Sequence, residues 1–423
     1  MSYWFHDSLT KNLAPIFYSS AVRGLITTFM PPKVLIGDYN LSELPGIAPG
    51  IWDNLAGNCP MKRAFIVTDE IARRYAQRVA GAAKSRGFTI HIWDQTKPEV
   101  PLDSVYAGAE EAKEFQPDLI ISVGGGSVID TSKAIFTLYE RPDITDLGTI
   151  SMLSPLNLRK KVAYLVAVPT TSGTGAEMTS VFVVSDNKTK RKIPVFHPEL
   201  IPDVALLIPS FTIGMPPKLT AGTGLDALAH AMDCVTSPGT NDFCDPLALR
   251  AIQLVFRWLP IAYHDGSNLE ARMRMQIAAG IAGIAFGNGG VSHTHSLGHS
   301  LGKIFNVHHG IAVGVFIPYV QQFHAQVTEK YLNICNALGV KGQSKTIRLG
   351  ALVDKVKGLL KELDVATNLK ELGITRQDLT KNMGMLVQYA SEDPDNFQSP
   401  RPMTKEQYEN MFWYAYEGKD VNF

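Results

Sequence analysis

The sequence predicts an α/β domain built on a parallel, helix-flanked sheet over residues 1–209, followed by an all-helical domain over 210–423. Three observations carry this expectation. Short apolar runs alternate with helix-length segments from Lys33 onward, the pattern of a parallel sheet. After Pro209 the strand pattern stops and long helical stretches take over. With 423 residues, the chain is long enough for two domains with sizeable cores.

Residues 1–28 read as a helical N-terminal arm, mildly amphipathic over Ala21–Ile26 and expected to be a packed appendage. Val34–Gly37 reads as a strand, and Arg63–Asp69 as an apolar run ending in an acid. Glu70–Arg86 reads as a helix closed by Gly87, Phe88–Trp93 as a strand, Asp103–Phe115 as a helix and Asp118–Val123 as a strand.

That last strand runs into Gly124, Gly125, Gly126 and Ser127 and then a helix containing Asp130. Glycines let a backbone approach a ligand closely, and a helix N-terminus offers unpaired N–H groups and a positive dipole end. The order strand, glycines, helix points to a pyrophosphate cradle in a Rossmann-like sheet, although the glycine run differs from GxGxxG and a tight turn is the plainer alternative. Asp69 is placed to accept from a ribose 2′-hydroxyl, which favours NAD over NADP; it is equally placed to cap the helix that follows. A polar loop after the strand Ala163–Val168 carries Thr170, Thr171, Ser172 and Thr174, hydroxyls suited to line a nucleotide or to bond local backbone.

In the second half, helices are expected over Lys218–Val235, Pro246–Ala262, Leu269–Phe286, Gly310–Gln322, Lys345–Leu363 and Lys405–Glu417. Five of the 11 histidines fall between Val291 and Gly310: His293, His295, His299, His308 and His309. His295 and His299 share a helical face, whereas His293 points away from His295 and His308 from His309, so each of the latter pairs offers at most one ligand. Asp226 and His230, again four apart, supply a further candidate pair. A carboxylate with imidazoles suits a borderline divalent ion such as Fe(II) or Zn(II). Nucleotide residues on one domain and ligands on the other describe an enzyme working in a cleft.

Composition excludes other classes. Hydrophobic residues make up 45% and charged residues 19%, and 40 basic residues balance 40 acidic ones. No basic excess exists to neutralise phosphates, so nucleic acid and membrane surfaces are not expected partners. Cys59, Cys234, Cys244 and Cys335 form no CxxC pair, which fits a reducing cytoplasm. The N-terminus lacks the basic and apolar regions of a signal peptide, and no apolar run approaches bilayer length.

Taken together, these segments resemble the iron-dependent (group III) alcohol dehydrogenases. The resemblance rests on GGGSVIDTSK (124–133), PTTSGTGAE (169–177), MPPKLTAGTGLDALAH (215–230) and HSLGHSLG (295–302), with PRPMT (400–404) and AYEG (415–418) near the end, and it runs from about Phe29 onward. It implies that Asp226, His230, His295 and His309 bind Fe(II), with Zn(II) as the alternative, and that His299 is an extra active-site histidine. It implies hydride transfer between a primary alcohol, or its aldehyde, and NAD(H), in a homo-oligomer. Ser300 stands where the family often has proline, His293 and His308 are additional histidines, and the arm before Phe29 is long. Other readings on the same architecture are a zinc-dependent, glycerol-type polyol dehydrogenase and a dehydroquinate-synthase-like lyase that releases no NADH. A non-catalytic nucleotide-binding protein is the reading from a different class.

Overall fold

The computed structural model of the chain describes residues 29–42, 50–152, 154–187 and 191–423; the N-terminal arm expected over 1–28 lies outside them. The chain forms two compact units, Met30–Gly214 and Met215–Phe423, the second including Phe29.

The first unit is the expected parallel α/β sheet. Its elements are β1 (Lys33–Ile36), α1 (Ile51–Asn58), β2 (Arg63–Val67), α2 (Arg73–Lys84), β3 (Thr89–Trp93), α3 (Leu102–Phe115), β4 (Leu119–Gly124), α4 (Gly126–Glu140), β5 (Tyr164–Pro169), β6 (Val181–Asp186), β7 (Arg191–Phe196) and β8 (Val204–Leu207). Six strands pair in the order β1-β8-β5-β4-β2-β3, all parallel. Side-chain alternation divides the core between two faces. Ile121 and Val123 pack with Val79 and Ala83 of α2, whereas Ile120 packs with Val105 of α3 and Ile135 of α4. The loops after β2 and β4 therefore leave on opposite faces from neighbouring strands, and such a switch point is where open α/β sheets bind ligands.

Two features differ from the sequence expectation. Strands β6 and β7 form an antiparallel hairpin outside the main sheet, covering α4 through buried Phe182, Val184 and Val195. Helix α2 begins at Arg73, three residues after the predicted start, because the Asp69 carboxylate caps the turn before it, accepting from Ala72 N at 2.6 Å.

The second unit is helical: α5 (Pro217–Thr236), α6 (Cys244–His264), α7 (Leu269–Gly289), α8 (His293–Phe305), α9 (His309–His324), α10 (Tyr331–Ala337), α11 (Lys345–Glu362), α12 (Arg376–Ser391) and α13 (Lys405–Glu417). Pro217 opens α5, where its fixed φ suits a first helical position. Helix α5 is buried from Thr220 to Thr236, the mark of a central helix. Helix α12 lies where the sequence reading places none. Its buried Leu379, Met383, Leu386, Val387 and Ala390 recur with helical spacing, and Thr375 caps it by accepting from Asp378 N. No helix among the described residues is long and apolar enough to cross a membrane.

Candidate active site

In the first unit, register places the two polar loops side by side. Gly124 pairs with Pro169 across β4 and β5, and Thr170 N donates to Gly124 O at 2.9 Å. Gly125 is extended at the N-cap of α4 and supplies no side-chain cap, so the first N–H groups of that helix are open to a ligand. A Cβ on Gly124 would stand 2.4 Å from Val128 Cγ2; on Gly126 it would stand 2.8 Å from Thr174 Cγ2; on Gly125 it would touch Thr171 at 3.4 Å. The glycines thus hold open a cradle walled by Thr171 and Thr174. The hydroxyl of Ser172 is buried there without a partner, as expected of a group that awaits a ligand. Ser127 sits half-buried at the start of α4. The residues fit a dinucleotide pyrophosphate. Asp130 faces elsewhere: its Oδ2 accepts from Val183 N at 3.0 Å and ties α4 to the β6–β7 hairpin. Asp69 follows β2, next to β4.

In the second unit, Asp226 Oδ1, His295 Nε2 and His309 Nε2 converge within 4.8 Å of one another. His309 Nε2 lies 3.1 Å from Asp226 Oδ1, His295 Nε2 3.9 Å and His230 Nδ1 3.8 Å. The histidines come from three helices: His230 one turn after Asp226 on α5, His295 in the first turn of α8 and His309 at the start of α9. Asp226 Oδ1, His230 Nδ1 and His295 Nε2 are all buried with no hydrogen-bond partner. Orphaned polar atoms buried this deeply are costly unless an ion satisfies them; His230 Nδ1 stands 3.8 Å from Asp226 Oδ1, beside the converging group of Asp226, His295 and His309. One carboxylate and three imidazoles are the donor set of a divalent transition metal, so the residues fit iron. His230 is stacked between Phe286, at 4.0 Å between ring centroids, and His295, at 4.4 Å.

The electrostatics follow from burial and from these neighbours. Burial raises the Asp226 carboxyl, but the charges of His230 and His309 and the close approach of the His295 and His309 rings outweigh it and hold it well below the usual range. Burial pushes His230 down to about 3, which keeps the ring neutral, with one of its two nitrogens free of a proton. His295 is lowered by burial, yet the carboxylates of Asp226 and Asp233 raise it to about 10.

The remaining histidines divide. His299 stacks on His309 with centroids 5.0 Å apart and stands at the edge of the cluster, its side chain 36% exposed. His293 turns into the core, where its Nδ1 lies 3.1 Å from His324 Nε2. His308 packs against Gly222, one turn before Asp226 on α5. Ser300 donates to Leu386 O at 2.8 Å.

Three further residues escaped the sequence reading. Asp233 Oδ2 accepts from His295 Nδ1 at 2.9 Å. It lies seven residues after Asp226 on the same helix, two turns along one face, and that spacing was the available signal. Asp393 and Asp395 flank His299, at 2.9 and 3.7 Å from its Nδ1, and no spacing in the chain links them to it.

Known proteins match both halves of this chain. The description "Iron-containing alcohol dehydrogenase" matches residues 31–209, and "Fe-containing alcohol dehydrogenase family, C-terminal" matches 220–416. An NADPH-dependent butanol dehydrogenase of Clostridium saccharobutylicum is 34% identical over 395 residues, covering 93% of this chain and 99% of its own. An NAD-dependent methanol dehydrogenase of Bacillus methanolicus is 32% identical over 382 residues, covering 89% of this chain and 96% of its own. The solved structure of a 1,3-propanediol oxidoreductase superposes with a TM-score of 0.84 at 28% identity, covering 92% of this chain and all of the other. With a glycine cradle on one unit, a carboxylate–histidine cluster on the other and family matches across both, the chain belongs to the iron-containing alcohol dehydrogenase family.

Proposed function

We propose that the chain is an NAD-dependent alcohol dehydrogenase and aldehyde reductase acting on primary alcohols, with Asp226, His230, His295 and His309 holding a divalent iron. The observation that carries the reading is the convergence of Asp226 Oδ1, His295 Nε2 and His309 Nε2, the first two buried without a partner, with His230 Nδ1 3.8 Å from Asp226 Oδ1. When bound, iron supplies Lewis acidity toward the substrate oxygen and NAD supplies the hydride acceptor. His299 would pass the alcohol's hydroxyl proton to solvent, the net reaction being alcohol and NAD⁺ to aldehyde, NADH and H⁺, reversed in aldehyde reduction.

The chain's own residues do the positioning. Gly124, Gly125 and Gly126 let backbone N–H groups approach the pyrophosphate, with Ser127 at the helix start and Thr170, Thr171, Ser172 and Thr174 lining the cradle. The carboxyl of Asp69 supports NAD over NADP, since an acid repels a 2′-phosphate. Asp130 supports the cradle by fixing α4 to the hairpin. Four buried cysteines without a disulfide support a reducing, cytoplasmic setting. The family resemblance supports a homo-oligomer, which light scattering of the purified protein measures.

The test is oxidation of a panel of primary alcohols by protein purified without oxygen. It is repeated after chelation and after return of Fe(II) or Zn(II), with NAD⁺ and NADP⁺ compared. NADH formed only in the presence of metal is the expected result. No reduced nucleotide with any metal or alcohol overturns the reading.

A further inference from the structure

We infer that Asp393 is a positioning residue for the proposed proton-transfer step, fixing His299 in the tautomer whose Nε2 is free to accept a proton. The inference rests on the dehydrogenase reading above. Asp393 caps the 3-10 turn Pro394–Gln398 that follows α12, and both of its oxygens are engaged. Oδ1 accepts from Asp395 N at 3.0 Å and Oδ2 faces His299 Nδ1 at 2.9 Å. Its side chain is only 13% exposed, so the carboxylate itself is poorly screened.

The direction of the hydrogen bond follows from chemistry. Burial raises the Asp393 carboxyl, but its contacts with the His299 ring at 2.9 Å and with the Asp395 backbone N–H at 3.0 Å outweigh it and keep the group below its usual value, hence ionised. An ionised carboxylate accepts only, so His299 Nδ1 must donate. In a neutral imidazole this leaves Nε2 with the lone pair, the form needed to take a hydroxyl proton and hand it to solvent. A turn capped by its own aspartate locks that carboxylate in place, which is how a group that touches neither substrate nor cofactor can hold a histidine at a fixed angle. Asp395, 3.7 Å from Nδ1, is beyond hydrogen-bond range and does not share the task.

Asp393→Asn separates positioning from stability. Asparagine caps as well as aspartate, so its oxygen keeps the bond to Asp395 N. Its amide nitrogen then faces His299 Nδ1 and donates to it, which forces the proton onto Nε2. Two measurements on the full chain follow. In zinc-loaded, ¹⁵N-histidine-labelled protein, with His299→Gln identifying the resonance, wild type and Asp395→Asn should show His299 protonated on Nδ1. Asp393→Asn should show it on Nε2. In iron-loaded protein, kcat for NAD⁺-dependent oxidation of 1-propanol should fall on the order of 100-fold in Asp393→Asn, with KM and bound iron unchanged. Partial recovery is expected in Asp393→Glu. Three results overturn the inference: His299 protonated on Nε2 in wild type, kcat unchanged in Asp393→Asn, or a loss of kcat that tracks loss of iron. Should wild type oxidise no alcohol, the dehydrogenase reading fails, while the ¹⁵N pattern still decides whether Asp393 sets the tautomer.

Discussion

Gly310, the second residue of α9, packs its backbone onto Gly222 of α5 so closely that a Cβ at position 310 would lie 1.9 Å from the Gly222 carbonyl oxygen. This contact sets His309 beside Asp226, because each lies next to the glycine seam: His309 immediately before Gly310, and Asp226 one turn after Gly222. The obstacle is backbone, so no rotamer change relieves it. Gly310→Ala should push the two helices apart, costing about 1–3 kcal/mol, and move His309 out of reach of Asp226. The expected outcome is a lower melting temperature together with substoichiometric iron. Full iron occupancy in the variant would show that the seam does not position the cluster.

Asp233 tests the next layer. Its carboxylate accepts from His295 Nδ1, from Ser292 N at 3.0 Å and from Thr294 Oγ1 at 2.6 Å. It therefore ties the start of α8 to α5 and aims His295 Nε2 at Asp226. Asp233→Asn can keep an acceptor toward His295 and Ser292 while Thr294 reverses its hydroxyl, so the fold should survive. What is lost is the negative charge behind the imidazole. Such outer partners are worth roughly 10–100-fold in metal affinity, and competition against a chelator should show a loss of that size with NAD⁺ affinity unchanged.

These two residues mark how far the chain could be read before its structure was known. The parallel sheet was legible because alternating apolar runs and helices have one common solution. The candidate cradle was legible because three glycines stand between a strand and a helix, an order the structure keeps. The ligand region was visible as a density of histidines, although spacing alone left a choice within 293/295 and 308/309. Gly310 and Gly222 carry no chemical signature: their role exists only once two helices 88 positions apart in the sequence cross. Asp393 is hidden for the same reason, since the bond to His299 spans 94 residues. The β6–β7 hairpin went unread because its strands leave the repeating strand–helix pattern.

The proposed nucleotide cradle makes a separable prediction. Gly126→Val places a branched side chain where Thr174 stands 2.8 Å from the first added carbon, and Thr174 is itself β-branched and stiff. The loop must open or the cradle must fill. NAD⁺ affinity, measured by calorimetry, should fall on the order of tenfold or more, about 1.4 kcal/mol at least. Bound iron should stay at the wild-type level, because every proposed ligand lies in the other unit. Loss of both together would point to general unfolding instead.

Glu177 gives the pH dependence. It is buried at the end of the polar loop, near Lys133, whose Nζ donates to the carbonyls of Ala176, Thr179 and Val181 at 2.7, 2.7 and 2.8 Å. With the three ammonium protons directed at carbonyls, the Glu177 carboxylate gains only distant attraction. Burial therefore dominates and pushes Glu177 up to about 7. A folded-state value above the unfolded one means that the folded chain holds the proton more tightly. The stabilisation is fully present below pH 4.5, where the folded and the unfolded carboxyls are both protonated. It is lost as pH rises through about 7, where the folded chain must bury a charge; the whole change is about 3 kcal/mol at most. Glu177→Gln replaces the carboxyl with a neutral group of the same shape and removes that loss. Melting temperatures of the metal-stripped proteins should nearly coincide at pH 5, and the variant should melt higher at pH 8. A gap of equal size at both pH values would mean that Glu177 does not take up a proton on folding, and that Lys133 compensates its charge despite the three carbonyls.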